Sequence, residues 1–266
     1  MKNLFLILGF TGLLACTNVP ITGRKQLILL PEGQMLEMGL TGYQQFLTEN
    51  KSKVEAAGKD VELVKKVGQR IATAVELYLN NNNMADKAKS FKWEFNVINE
   101  NVANAWCMPG GKVVVYTGLL PITKDEAGLA VVMGHEIAHA VANHGNERMS
   151  QGMIQELGFS VLDAAIAEKP EQTRNIFLSA YGLSSQMFGV LPFSRLHESE
   201  ADKLGLIFMA MAGYKPSEAV GFWERMAKAG GQSPPEFLST HPSNETRISK
   251  INEFLPEAEK YYKAQP

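Results

Sequence analysis

The most specific chemical signal in the sequence is His135-Glu136-Ile137-Ala138-His139. On a helix, residues four apart lie one turn apart on the same face, so two imidazoles at this spacing can bind one metal ion. Glu136 adjoins the first imidazole and can act as base toward a water that the metal activates. A catalytic zinc takes three protein ligands and keeps one position open. The known extended form of this motif, which takes a third histidine from the same segment, would have Gly at position 142 and His at 145; Ala142 and Gly145 stand there instead. The remaining ligand must come from elsewhere.

The best source is the stretch from Ser194 to Asp202, read as a second helix. Glu198 and Asp202 are four apart and share a face. Glu200 is turned about 200° from Glu198. One face can therefore offer Glu198 to the metal and Asp202 to a ligand histidine as hydrogen-bond acceptor. Spacing alone leaves Glu200 and His197 as competing ligands.

The elements that must carry these residues are legible in the apolar periodicity. Helices are expected from Glu32 to about Leu47 and from Asp60, as N-cap, to Leu79. The period then changes. Phe91 to Ile98, Val102 to Met108 and Lys112 to Thr117 read as three strands, with a turn at Pro109-Gly110-Gly111. Thr123 and Glu126 fit a capping box that opens the central helix. That helix runs to about Asn143, with Gly145 as its closing glycine. Further helices are expected near 148–167, 172–188, 195–212, 217–229 and 244–262. The fold class is α+β and mostly helical, with a small β-sheet beside the His135–His139 helix.

This HEIAH helix, followed by the ExxxD helix at Glu198 and Asp202, resembles metallopeptidase family forty-eight. That family includes the CAAX prenyl proteases, the HtpX type and the mitochondrial Oma-type proteases. Asn18 to Leu27, Gly110 to Leu120 and Thr240-His241-Pro242 through Arg247 match it as well, so the resemblance spans nearly all of residues 16–266. It is similar above all to the short periplasmic lipoprotein branch. The resemblance implies a zincin-like domain, one zinc ion and endopeptidase activity on misfolded or unassembled envelope proteins. It also implies Glu198 as third ligand and Asp202 as its support. It places His241 near the zinc, either helping to stabilise the reaction oxyanion or replacing the zinc water as a fourth ligand. Arg247 assists His241 or holds its loop. The Gly- and Pro-rich run from Gly230 to Pro235 would let that histidine move.

Other positions receive plainer readings. Lys112 to Thr117 is expected at the sheet edge, where Gly111, Lys112, Val113, Val114, Val115 and Tyr116 would bind an extended substrate by main-chain hydrogen bonds. His144 is about 140° round the helix from His139 and reads as structural, partly positive near a helix C-terminus. His197 reads as packing or surface. Met149, Met153, Met187, Phe188 and Met209 form apolar faces, read as core or as a cleft for unfolded segments.

Composition fits a globular chain, with 45% hydrophobic and 20% charged residues. The net charge of −2 leaves no electrostatic footprint for nucleic acid. Residues 1–15 read as a signal peptide, with an apolar run too short to span a bilayer as a helix. Leu13-Leu14-Ala15-Cys16 resembles a bacterial lipobox, which implies acylation of Cys16 and a lipid tether. With Thr17 rather than an acid next, the outer membrane, facing the periplasm, is expected. Residues 16–31 read as a polar, extended leader, and 32–266 as a single domain. Cys107 has no intrachain partner once Cys16 is acylated, and reads as a small buried hydrophobe. The sequence specifies no oligomeric state.

Overall fold

The computed structural model describes residues 16–157, 170–181, 194–229, 236–241 and 246–263. The expected signal peptide, Met187, Phe188, Pro242 and the loop from Gly230 to Pro235 lie outside them.

A short hairpin opens the described chain: β1 (Cys16–Asn18) pairs antiparallel with β2 (Lys25–Leu27). Helices α1 (Glu32–Glu49), α2 (Lys59–Asn81) and α3 (Ala85–Ser90) follow. Gly58, not Asp60, holds the N-cap position of α2. Then come β3 (Glu94–Ile98), β4 (Ala105–Met108) and β5 (Lys112–Tyr116). The rest is helical: α4 (Leu120–Thr123), α5 (Glu126–Val141), α6 (His144–Leu157), α7 (Pro170–Ala180), α8 (Arg195–Met211), α9 (Glu218–Ala229), α10 (Glu236–Thr240) and α11 (Arg247–Ala258).

The sheet corrects one expectation. Its order is β3-β5-β4, with β3 parallel and β4 antiparallel to β5. Lys112 to Tyr116 is therefore the central strand, and its backbone is already paired on both sides. Gly111, Lys112, Val113, Val114, Val115 and Tyr116 cannot form the edge to which an extended substrate adds. The physical reason lies in the consecutive valines. Val113 and Val115 pack into the main core with α2 and α5, while Val114 packs with Tyr43, Ile98 and Trp106 on the opposite face. A strand covered on both faces reads as a continuous apolar run, whereas a half-solvated strand alternates. Cys107 is buried on β4, as expected. The turn between β4 and β5 uses Gly110 and Gly111 at φ +81° and +82°, a region that L side chains rarely adopt.

Helix α5 is buried along nearly its whole length, and α8 is its most extensive partner. Two glycines set their crossing. A Cβ on Gly134 would meet the Gly205 carbonyl oxygen at 2.9 Å, and one on Gly205 would meet the His135 nitrogen at 2.9 Å. Backbone touches backbone here, so the helices approach as closely as their main chains allow. That contact lies one residue from His135.

The boundaries of α5 also differ from expectation. Asp125 is the N-cap, its carboxylate accepting from the Gly128 N–H at 2.9 Å; Thr123 ends α4 instead. At the other end Asn143 takes φ +57° and breaks the helix, while Gly145 already lies inside α6. Met149, Met153 and Met209 are fully buried in two clusters, which settles them as core.

Candidate metal centre

Helix α5 presents His135, Glu136 and His139, and α8 presents Glu198 and Asp202. His241 enters directly after α10, and Arg247 opens α11. All seven are buried. One ligand atom each of His135, His139, Glu198 and His241 falls within 4.8 Å of all the others.

The inward atoms form a donor set for a cation. The Nε2 atoms of His135 and His139 lie 3.0 Å apart. Glu198 Oε2 is 3.5 Å from the first, and Oε1 is 3.4 Å from the second. His241 Nδ1 lies 3.2 Å from His135 Nε2 and 3.1 Å from Glu198 Oε1. Bare imidazole nitrogens and a carboxylate crowded this closely repel one another unless a positive charge sits between them. The field asks for that charge: burial lowers His135, yet Asp202 and Glu198 overcome it and raise it to about 9. Burial holds His139 well below its usual value, in the neutral, ligating form. Glu198 stays ionised, because His241, His135 and His139 outweigh the burial that would raise it. Two or three imidazoles plus one carboxylate is a set that suits zinc.

Around these atoms stands a ring of support. His135 Nδ1–H donates to Asp202 Oδ1 at 2.9 Å, which turns Nε2 toward the other ligand atoms as the nitrogen a metal would take. Arg247 grips both acids of α8, Nη1 to Glu198 Oε2 at 3.1 Å and Nη2 to Asp202 Oδ1 at 2.7 Å. Its guanidinium lies 3.4 Å from the centre of the Trp223 ring. His241 stacks on Phe237 at 4.4 Å. Phe237 N–H in turn donates to Ala103 O at 3.0 Å, which ties the His241 segment to the entry of β4.

Glu136 is placed differently from the other acids. Burial raises its pKa, and the nearby imidazoles of His241 and His135 offset only part of that rise. Its buried Oε1 has no hydrogen-bond partner among the described residues and lies 3.4 Å from His241 Nε2. An open acceptor facing the ligand atoms suits a proton acceptor.

Spacing gave only part of the role of three residues. His144 begins α6, and burial pushes it down to about 4, so it is neutral rather than partly positive. Its Nδ1 meets His139 Nδ1 at 2.9 Å, and its Nε2 meets Glu200 Oε2 at 3.0 Å. Glu200 does turn away from the ligand face, as its spacing predicts, but it reaches the site through His144. His197 is buried, stacks on His144 at 4.6 Å and bonds to Glu147 Oε2 at 3.1 Å. The supposed leader is also part of the fold, since Thr22 and Arg24 of the hairpin bond to Glu200. The sequence signals for these contacts were acids and histidines beyond what the metal needs and the family match of Asn18 to Leu27, which contains Thr22 and Arg24.

Comparison with known proteins agrees with this geometry. The model of peptidase family M48 matches residues 64–255. The mitochondrial metalloendopeptidase OMA1 of Schizosaccharomyces pombe is 44% identical over 63% of this chain and 48% of its own length. OMA1 of Saccharomyces cerevisiae is 31% identical over 98% of this chain and 76% of its own. The beta-barrel assembly-enhancing protease of Escherichia coli strain K12 is 28% identical over 65% of this chain and 37% of its own. The chain spans about half the length of the Schizosaccharomyces relative and 31% of the Arabidopsis thaliana one. With the matched region running from α2 into α11 and enclosing every ligand candidate, this chain belongs to peptidase family M48.

Proposed function

We propose that this protein is a zinc-dependent endopeptidase with His135, His139 and Glu198 as zinc ligands and Glu136 as the general base. The observation that carries the reading is the open, buried Glu136 carboxylate beside a ligand cluster drawn from two helices. Zinc held there would polarise both the attacking water and the scissile carbonyl. Glu136 takes the water's proton as the carbonyl is attacked, then passes it to the leaving amine. Its raised pKa suits both halves of that transfer. Asp202 keeps His135 oriented, and Arg247 holds both acids of α8 in place.

His241 has two opposed roles to choose between. Its Nδ1 already lies among the ligand atoms, which favours a latent arrangement in which it fills the fourth position. Swung outward, it would stand ready to support the oxyanion. Replacement of His241 by Ala raises basal hydrolysis in the first case and abolishes it in the second.

Substrate is proposed to add to β4 rather than β5. Among the described residues no strand pairs with the outer edge of β4, and β4 packs on α5. Main-chain pairing there gives affinity with little side-chain selectivity. Unfolded or misassembled envelope polypeptides are the proposed substrates. The protein is proposed to act from a lipid tether at Cys16, on the periplasmic side of the bacterial outer membrane. The name of the Escherichia coli relative, a beta-barrel assembly-enhancing protease, supports the substrate class.

The deciding experiment is digestion of unfolded casein. Activity is expected to be blocked by a chelator and restored by zinc. Glu136→Gln should lose it by at least about a thousandfold while retaining zinc. A lipid-anchored chaperone with a non-catalytic zinc site would show no cleavage in the wild type.

A further inference from the structure

The two metal histidines need their protons placed on Nδ1 so that Nε2 is bare. For His135 one carboxylate does this. For His139 the chain runs further. His144 Nε2–H donates to Glu200 Oε2 at 3.0 Å, so His144 Nδ1 must accept, and at 2.9 Å it accepts from His139 Nδ1–H. Glu200 is therefore the carboxylate that orients His139, acting through a second imidazole.

What holds Glu200 is the N-terminal hairpin. Arg24 lies in the bend between β1 and β2, and its side chain crosses to two different helices. Nε donates to Glu200 Oε2 at 2.8 Å; Nη1 and Nη2 grip Glu147 Oε1 and Oε2 at 2.9 and 2.7 Å. Thr22 Oγ1 donates to the other oxygen of Glu200. Glu147 also receives His197, whose ring stacks on His144. Arg24 is mostly buried, at 19% side-chain exposure, so these bonds are only weakly screened. The bidentate fork on Glu147 fixes the guanidinium plane, which in turn fixes the Nε–H aimed at Glu200.

We propose that Arg24 is a positioning residue of the zinc centre: by clamping Glu200 it holds the His144 relay that orients ligand His139. The hairpin that begins at Cys16 is thus an outer wall of the metal site rather than a passive leader. This inference rests on the zinc reading of the preceding section.

The test is zinc affinity, measured by competition with a chromophoric chelator on the full chain. Arg24→Ala and Glu200→Gln are each expected to weaken zinc binding by about tenfold, the lower end for partners behind a ligand. Because both act through one relay, the double variant should bind zinc no more weakly than Glu200→Gln alone. Arg70→Ala is the control for general destabilisation. Arg70 bonds to the Ala212 carbonyl and lies over Tyr214, away from the centre, and its loss should leave zinc affinity unchanged. Should Arg24→Ala fail to fold, Thr22→Val removes a single bond to Glu200 and is expected to weaken zinc severalfold. Wild-type zinc affinity in Arg24→Ala or Thr22→Val, or full additivity in the double variant, overturns the inference. A wild-type chain that binds no zinc sinks the underlying zinc reading instead.

Discussion

His135 and His139 sit one turn apart on α5 and offer the same atom to the same place, yet they are supported by different means. Behind His135 stands one carboxylate, Asp202, gripped by Arg247 from α11. Behind His139 stands a second imidazole, then Glu200, then Arg24 from the N-terminal hairpin. Both relays end on an arginine that ties two acids together, Glu198 with Asp202 in one case and Glu200 with Glu147 in the other. The lesson is that one helix can serve two ligands only by sending its acids in two directions. Asp202 and Glu198 take one face of α8, and Glu200 takes the opposite side.

The largest expected contrast comes from cutting each relay next to its ligand. Asp202→Ala removes the direct acceptor and leaves Arg247 buried with one carboxylate fewer. Zinc affinity should fall by about a hundredfold, against about tenfold for His144→Ala, whose place water can fill. Chelator competition measures both. Equal losses would mean that the two relays are equivalent and the comparison is empty.

A smaller effect is expected where both relays depend on the same helix crossing. Gly205→Ala drives a Cβ into the backbone of α5 at 2.9 Å. The helices must part, at a cost of about 1–3 kcal/mol in stability. Thermal unfolding should show that loss, and zinc should bind more weakly because Glu198 moves away from both imidazoles. A variant as stable and as zinc-avid as the wild type would show that the close approach is not required.

The smallest effect is acid sensitivity on the Arg24 side. Burial would raise Glu147, but Arg24 and His197 outweigh it and bring it from 4.5 down to about 2. A carboxylate depressed in the folded state contributes stability fully above its unfolded pKa. That contribution is lost as pH falls from about 4.5 to about 2. Arg24→Ala removes the leading cause of the depression, so its acid unfolding midpoint should move to higher pH, toward 4.5. Urea denaturation at a series of pH values reads this directly. An unchanged midpoint would show that His197 alone keeps Glu147 ionised.

Much of this was legible in the residues themselves. Spacing of four fixes a shared face on a helix, so His135 with His139 and Glu198 with Asp202 pair wherever the helices lie. Apolar periodicity placed most elements within a few residues, because burial of one face imposes the period. The same local logic misassigned the caps of α5, where Thr123 and Gly145 had the right chemistry but Asp125 and Asn143 had the right backbone. It also misplaced β5. The valine run was visible, but whether a second layer covers its far face depends on α1, more than sixty residues earlier.

By itself, then, the sequence determined that His135 and His139 share one helix face with Glu136 beside them, and that Glu198 and Asp202 share another, because these follow from the 3.6-residue turn of a single helix. Only the tertiary structure decided that His241 joins the ligand atoms, that Glu200 serves His139 through His144, and that Arg24 of the hairpin anchors the relay. Those contacts span between 56 and 176 positions along the chain, apart from the local one between His139 and His144. No periodicity links residues so distant. Their meeting is set by how closely two glycines let α5 and α8 approach, and by the polar groups buried there, each of which must find a partner.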